Sequence, residues 1–204
     1  QYEREMGVKI SLGHSADNVI GTDLVVYSAA ISKDNVELNA AASYGIPAVE
    51  RSVLLGYVSR LYKDSICVSG THGKTTTTSM ITTMLELAGR DPAAVIGGKL
   101  PLIHGYGKAG TGREIVVEAC EFSETFLQLT PAISIILNID NDHLDYYGTL
   151  GKLKFAFRRF ALLTQHTVIS NLDDANTRDV VGGVDRPVRT FAVNNPEADY
   201  TAVN

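Results

Sequence analysis

A loop bounded by glycines and followed by a lysine and threonines runs from Gly70 to Thr76. The apolar run 66–68 precedes it and predicts a buried strand, and apolar residues at helical spacing follow it. In such a loop, backbone N–H groups and a helix N-terminus can hold an anion. Lys74 can reach the β- and γ-phosphates of a nucleotide, and the Thr75 hydroxyl can ligate Mg²⁺. The stretch therefore predicts a phosphate-binding loop.

The loop departs from the general P-loop pattern in one respect. That pattern has its first glycine where this chain has Val68, so the loop here is shorter. A glycine turn before a helix, with a chance Lys-Thr pair, is the alternative interpretation. The order of strand, loop and helix favours the phosphate-binding loop.

Polar residues also follow two other predicted strands. Glu118 comes after the apolar run 115–117, and Asn138 comes after the run 133–137. Open α/β sheets place their ligands at the carboxyl ends of parallel strands. Mg²⁺ prefers oxygen ligands, so Glu118 is predicted to join Thr75 as a ligand, with a solvated carboxylate as the alternative. Asn138 either orients a substrate or caps the turn after its strand.

Further titratable residues have two interpretations each. His143 lies in the acidic run 140–145, which fits either a functional site or a surface loop. Glu121 could assist a metal, or it could stabilise the start of a helix through the helix dipole. Asp173 and Asp174 are predicted to cap a helix, with contact to a ribose or base as the alternative.

The composition of the chain indicates a globular protein and argues against several other classes. The chain has 204 residues, of which 45% are hydrophobic and 20% charged, as in globular proteins. A net charge of −5 does not support binding of nucleic acid through a basic face. No apolar run is long enough to span a membrane, and the N-terminus is not a signal peptide. Cys67 and Cys120 are predicted to be buried free thiols in a reducing cytoplasm, and they offer too few ligands for a zinc site.

Predicted strands and helices alternate along the chain, which indicates an α/β fold with a mostly parallel sheet. The predicted strands are residues 8–12, 24–27, 46–49, 66–68, 115–117, 133–137, 167–170 and 189–193, and the predicted helices are 35–44, 52–61, 74–88 and 152–163. Asn35 and Ser52 are expected to cap the first two helices. His14 is expected in an exposed loop, and the glycine-rich residues 97–114 are expected to form a long loop near the site.

The ends of the sequence predict a fragment of a longer protein. The first residue is Gln1 rather than an initiator methionine, and the last residues, 200–204, have the pattern of a strand that is beginning.

The motifs together resemble the Mur ligases, the ATP-dependent enzymes that add amino acids in bacterial cell-wall synthesis, and in particular their alanine-adding branch. The segments that carry the resemblance are 70–77, 97–100, 117–121 and 138–145, with 13–15, 27–31 and 171–174 in support. Histidine at position 72 is typical of the alanine-adding branch. The resemblance runs almost from end to end.

The resemblance implies two domains. Residues 1–62 would be the remainder of a Rossmann-like N-terminal domain that binds a UDP-sugar, and residues 63–204 a central P-loop α/β ATPase domain. The start of the first domain and the whole C-terminal domain would be missing. A fragment without the closing third domain is expected to be inactive by itself.

The resemblance also implies roles for individual residues. The ATP-binding residues would be Gly70, Thr71, His72, Gly73, Lys74, Thr75, Thr76 and Asn138. Lys74, Glu118 and His143 would be catalytic. Thr75 and Glu118 would hold one Mg²⁺, and His143 would be a ligand of a second. Two positions depart from the family: Cys120 stands where aspartate is usual, and Leu137 where threonine is usual.

The implied reaction joins L-alanine to the carboxylate of UDP-N-acetylmuramate through an acyl phosphate, in peptidoglycan precursor synthesis. The implied enzyme acts in the cytoplasm as a monomer or weak homo-oligomer, without nucleic acid or membrane partners. Three alternatives remain open. They are a recycling ligase that attaches a peptide, a P-loop ATPase or kinase of another class, and a non-catalytic nucleotide-binding module.

Overall fold

A computed structural model describes residues 2–5 and 7–202. The chain divides into two compact units, Gln1–Leu54 and Leu55–Asn204. The elements in chain order are α1 (Tyr2–Glu5), β1 (Val25–Tyr27), α2 (Val36–Tyr44), β2 (Ala48–Glu50), α3 (Arg51–Ser59), β3 (Asp64–Ser69), α4 (Lys74–Leu87), β4 (Ala93–Leu100), β5 (Gly105–Lys108), β6 (Glu114–Glu118), β7 (Ile133–Ile136), α5 (Leu144–Tyr147), α6 (Leu150–Leu163), β8 (Thr167–Asn171), α7 (Ala175–Val181), β9 (Val188–Ala192) and β10 (Tyr200–Thr201).

The first unit contains a parallel pair of short strands, β1 and β2. Asn35 caps α2 as predicted, because its side chain accepts a hydrogen bond from the Glu37 N–H. His14 lies in an exposed loop as predicted, and its Nδ1 lies 2.5 Å from a Glu37 carboxylate oxygen. Hydrogen bonds from Asn18 and His14 hold the pKa of Glu37 below its usual range.

Two predictions for this unit are wrong. Residues 8–12 form no strand, and their apolar side chains are exposed, Leu12 at 91%. Alternation of apolar and polar residues marks a strand only where one face is buried. Ser52 does not cap a helix, because α3 already begins at Arg51 and the Ser52 hydroxyl donates to Glu50.

The second unit is built on an eight-stranded sheet in the order β10-β9-β8-β7-β3-β6-β4-β5. Every pairing is parallel except that of β4 with β5. The predicted α/β class with a mostly parallel sheet is confirmed. From β3 the chain passes to β4 and β5 on one side, returns to β6, and then crosses to β7 and β8 on the other side. A crevice is therefore expected beyond the carboxyl ends of β3, β6 and β7.

The glycine-rich segment 97–114 is not the long loop that was predicted. Its first part continues β4 to Leu100, and β5 returns antiparallel at the sheet edge. The glycines permit this pairing, because a Cβ added at Gly107 would lie 2.8 Å from the Ala94 carbonyl oxygen. Glycine thus marks close backbone approach here rather than irregular structure.

The core of the second unit lies between the sheet and the helices that cover it. Phe126 is buried, stacks on Phe160 with 4.8 Å between ring centroids, and meets Phe157 edge-on at 5.3 Å. Both partners come from the inward face of α6, whose apolar residues recur at helical spacing. Within residues 2–5 and 7–202, the structure has no helix with the length and apolarity to cross a membrane.

Candidate active site

The predicted phosphate loop connects β3 to α4 at the centre of the sheet. Gly70 and Gly73 have φ angles of 141° and 86°, which favour glycine. Gly73 is the N-cap of the 14-residue helix α4, and no side chain caps that end. The first amide groups of α4 are therefore available to an anion, as in a phosphate site.

The loop is tied to the segment after β7. The Thr71 N–H donates to the Asn138 carbonyl at 3.0 Å, and the Asp140 N–H donates to the Thr71 hydroxyl at 2.9 Å. The Asn138 side chain bonds twice to the backbone of His72. Asn138 therefore braces the phosphate loop, a role that differs from both roles considered from the sequence. Thr76 and the His72 side chain remain exposed.

Thr75 and Glu118 meet where β3 and β6 end. The Thr75 hydroxyl donates to Glu118 Oε1 at 2.9 Å, and the Gly97 N–H donates to Oε2 at 2.6 Å. A Cβ at Gly97 would lie 2.5 Å from Glu118 Oε1, so glycine lets β4 approach this carboxylate without displacing it. A hydroxyl and a carboxylate at this distance form a hard-oxygen donor set that fits Mg²⁺.

Lys74 is held by the loop and by Glu121. Its ammonium donates to the carbonyls of Gly70 and Thr71 at 2.6 and 3.1 Å. It also lies 3.0 Å from both oxygens of Glu121, with the hydrogen bond made to Oε1. Glu121 is only 1% exposed, so this is a buried ion pair.

His143 also lies near Glu121. Its Nε2 is 3.9 Å from Glu121 Oε1 and 3.8 Å from Asp142 Oδ2. Ligand atoms of these three residues lie within 4.8 Å of one another, and Glu121 Oε2 is buried without a hydrogen-bond partner among the described residues. An imidazole with two carboxylates fits a divalent cation.

The tertiary structure thus brings most of the predicted residues to one crevice. Lys74 and Thr75 begin α4 directly after the loop that follows β3, and Glu118 is the last residue of β6. Asn138 and His143 lie in the segment between β7 and α5.

The capping predicted for Asp173 and Asp174 is confirmed for Asp174 and wrong for Asp173. Asp174 caps α7 as predicted by accepting a hydrogen bond from the Thr177 N–H. Asp173 does not cap it; its carboxylate accepts the N–H groups of Val193 and Asn194, which lower its pKa.

The two cysteines differ, contrary to the prediction that both are buried. Cys67 is buried, and burial raises its pKa to about 12. Cys120 is exposed between Glu118 and Glu121, because β6 ends before it. Partial desolvation still raises the pKa of the Cys120 thiol.

Sequence reasoning undervalued Glu121 and Gly97. Glu121 comes three residues after the end of β6. From the sequence, stabilising the start of a helix and assisting a metal were equally good interpretations of it. Its surroundings include Tyr147, which is 26 positions away and whose hydroxyl donates to the Glu121 backbone carbonyl. Gly97 belongs to segment 97–100, which carries the family resemblance. Because this segment was expected to be a loop, its contact with Glu118 was not predicted.

An open cavity of about 570 Å³ adjoins the loop on the side of α4 and β4. It is lined by Thr75, Thr76, Ser79, Met80, Thr83, Met84, Lys99 and Leu100. The cavity starts at the hydroxyl that meets Glu118, so a molecule bound there would lie beside the phosphate site.

Comparison with known proteins gives two family matches. Residues 68–204 match the Mur ligase middle domain, which is more than half of the chain. Residues 1–63 match a domain described as Mur ligase family, catalytic domain.

Curated relatives agree with these matches. The chain is 44% identical over 198 residues to a UDP-N-acetylmuramate–L-alanine ligase of Caldanaerobacter subterraneus subsp. tengcongensis, covering 96% of this chain and 43% of the relative. It is 45% identical over 201 residues to the enzyme of that name from Pelotomaculum thermopropionicum, covering 98% and 43%. The chain therefore spans less than half the length of these relatives.

Solved structures share the fold. A crystal structure of UDP-N-acetylmuramate-alanine ligase MurC from Thermotoga maritima aligns with a TM-score of 0.84 at 32% identity, covering 98% of this chain and 45% of that one. A murein peptide ligase from Psychrobacter arcticus aligns with a TM-score of 0.85 at 23% identity, covering all of this chain and 48% of that one. On the middle-domain match and these likenesses, the chain belongs to the Mur ligase family.

Proposed function

We propose that the protein to which this chain belongs is an ATP-dependent ligase that joins L-alanine to the carboxylate of UDP-N-acetylmuramate. The observation that carries the proposal is the contact of Thr75 with Glu118 at 2.9 Å, directly beside Lys74 of the phosphate loop. The identity of 44–45% to relatives of that name supports the choice of substrates.

In this proposal each residue acts through its position. The amides of residues 70–76 hold the ATP phosphates, and the Lys74 ammonium offsets the charge of the γ-phosphate. Thr75 and Glu118 would hold one Mg²⁺ and His143 a second. Bound Mg²⁺ would offset negative charge on the transferring phosphoryl group.

The proposed chemistry needs no protein nucleophile. The substrate carboxylate attacks the γ-phosphorus, which yields an acyl phosphate and ADP. The alanine amine then attacks the acyl carbon and releases phosphate. The contribution of the protein is to position these groups and to supply positive charge, as in other phosphoryl transfers.

The proposal also covers the domains and the cellular location of the enzyme. Residues 1–62 would belong to the UDP-sugar-binding domain and residues 63–204 to the ATP-binding domain. The enzyme would act in the cytoplasm as a monomer or weak homo-oligomer.

A ligase that attaches a peptide to the same sugar nucleotide is the second candidate. The fold itself is equally similar to a murein peptide ligase, with a TM-score of 0.85. The sequence identity favours alanine, at 32% to the Thermotoga maritima alanine ligase against 23% to that peptide ligase.

The test uses the full-length protein with MgATP, UDP-N-acetylmuramate and L-alanine, and it measures phosphate release with each component omitted. Release that needs both acceptors supports the proposal. Release with the sugar nucleotide and a peptide, but not with alanine, selects the recycling ligase. Release that is indifferent to acceptors indicates a P-loop ATPase of another class, and absence of release with intact bound ATP indicates a nucleotide-binding module.

A further inference from the structure

One buried carboxylate, Glu121, lies between two groups that the proposed function uses separately. The Lys74 ammonium is 3.0 Å away, and His143 Nε2 is 3.9 Å from Oε1. The other hydrogen bonds of the Lys74 ammonium go to loop carbonyls, which carry no net charge. Lys74 is therefore the counter-ion of Glu121 as long as no phosphate is bound.

Binding of nucleotide changes this balance. Lys74 is expected to turn toward the β- and γ-phosphates, as lysines of phosphate loops do. Glu121 would then be a buried carboxylate without a counter-ion, which is strongly unfavourable. A second positive charge is then needed beside the carboxylate.

The surroundings of His143 can bind such a charge. Ligand atoms of one Mg²⁺ lie about 2.1 Å from the ion, so they are separated by about 3 Å when adjacent and about 4 Å when opposite. The separations of 3.9 Å to Glu121 and 3.8 Å to Asp142 fall in that range. Glu121 Oε2 adds a buried oxygen that makes no hydrogen bond in the described part of the chain and lies 3.0 Å from the Lys74 ammonium. It becomes available to a cation when Lys74 turns toward the phosphates.

The backbone around Glu121 is built to hold this arrangement. Ser123 and Glu124 have φ angles of 55° and 56°, a strained conformation for side-chain-bearing residues. The turn places the Phe122 ring 5.1 Å from the His143 ring, centroid to centroid. The imidazole thus has an aromatic ring on one side and the Glu121 carboxylate on the other.

We propose, on the basis of the proposed function, that Glu121 is a shared counter-ion. It pairs with Lys74 before nucleotide binds, and it becomes a ligand of the divalent cation at His143 once Lys74 has moved to the phosphates. Nucleotide binding and cation binding at His143 are thereby coupled through one carboxylate.

The sharpest test removes the competing charge without nucleotide. Lys74→Met should free Glu121, so the full-length variant should bind Mn²⁺ at the His143 site about tenfold more tightly than the wild type. Free Mn²⁺ is measured by electron paramagnetic resonance, with no ATP or acceptor present. Lys74→Met combined with Glu121→Gln should lose the gain, and the exposed Lys152→Met is the matched control.

A second arm does not depend on Lys74→Met folding. With a non-hydrolysable ATP analogue, the wild type should bind two Mn²⁺, and Glu121→Gln and His143→Ala should each lose the same one. Glu124→Gln, in the same turn but paired with Arg159, should keep both.

Two results would overturn the inference. One is a Lys74→Met protein that folds and binds Mn²⁺ no more tightly than the wild type. The other is a Glu121→Gln protein that keeps both ions at unchanged affinity. If either occurs while the wild type still releases phosphate with both acceptors, the inference fails and the proposed function stands.

Discussion

Asn138 uses both polar atoms of its side-chain amide on one residue, His72, which is 66 positions earlier in the chain. Its Oδ1 accepts the His72 N–H at 2.8 Å, and its Nδ2 donates to the His72 carbonyl at 3.0 Å. This pairing of an amide side chain with a peptide unit holds the middle of the phosphate loop against the end of β7. We therefore expect Asn138 to support nucleotide binding without contacting the nucleotide.

Replacement of Asn138 by alanine should therefore loosen the phosphate loop. Two hydrogen bonds are lost, which corresponds to a loss of about 1–3 kcal/mol of stability. ATP affinity should fall about tenfold, because the loop must be ordered again when the phosphates bind. Calorimetric titration with a non-hydrolysable ATP analogue measures this affinity, and a thermal melt measures the stability. Asn141→Ala, at an exposed position in the next turn, should change neither quantity. Equal affinities of the two variants would show that the brace is dispensable.

Gly97→Ala should impair Mg²⁺ use with little effect on folding. The new Cβ would lie 2.5 Å from Glu118 Oε1, so the carboxylate must leave Thr75. The Mg²⁺ concentration for half-maximal phosphate release in the full-length enzyme should rise about tenfold.

Gly151→Ala is the matched control for Gly97→Ala. Gly151 lies in α6, where the nearest atom to a new Cβ is 3.9 Å away, and alanine should raise stability by about 0.5–1 kcal/mol. A Mg²⁺ titration of Gly97→Ala that matches the wild type would remove Gly97 from the site.

Lys74→Ala should abolish productive ATP use and also destabilise the fold. Without the ammonium, Glu121 is a buried charge without a partner, at a cost of about 3 kcal/mol. Urea denaturation in the presence of EDTA measures this loss. Lys74→Ala combined with Glu121→Gln should recover most of the stability and none of the phosphate release, because a neutral amide needs no counter-ion. If the second substitution restores no stability, the ion pair does not account for the loss.

Thiol labelling should distinguish the two cysteines. In the folded protein a maleimide should modify the exposed Cys120 alone, and Cys67 should react only after denaturation. The thiolate is the reactive form, and the raised pKa of Cys120 reduces its thiolate fraction at neutral pH. The labelling rate should therefore still rise above about pH 9, where the rate of an ordinary thiol levels off. Mass spectrometry of a pH series, with Cys120→Ser as control, measures it. A rate that is already constant by about pH 8 would contradict the raised pKa.

Local patterns in the sequence were sufficient to predict the phosphate loop and the polar residues at the strand ends. The order of strand 66–68, loop 70–73 and the helix from Lys74 is a property of consecutive residues, so periodicity and glycine placement determine it. The meeting of Glu118 with Thr75 also followed, because parallel strands end at the same edge of a sheet. The incorrect prediction of a strand at 8–12 also came from a local pattern. Alternation of apolar and polar residues does not show whether one face of the segment is buried.

The tertiary structure alone decided which polar groups are paired, because pairing depends on register between distant segments. Glu121 and Lys74 are 47 positions apart in the sequence. They form an ion pair at 3.0 Å only because β3 lies beside β6. Gly97 touches Glu118 only because β4 lies on the other side of β6. The sequence by itself determined the family and the phosphate loop, whereas packing determined the charge balance inside the site. Burial makes an unpaired charge costly, and no local pattern in the sequence shows that the Glu121 carboxylate is buried.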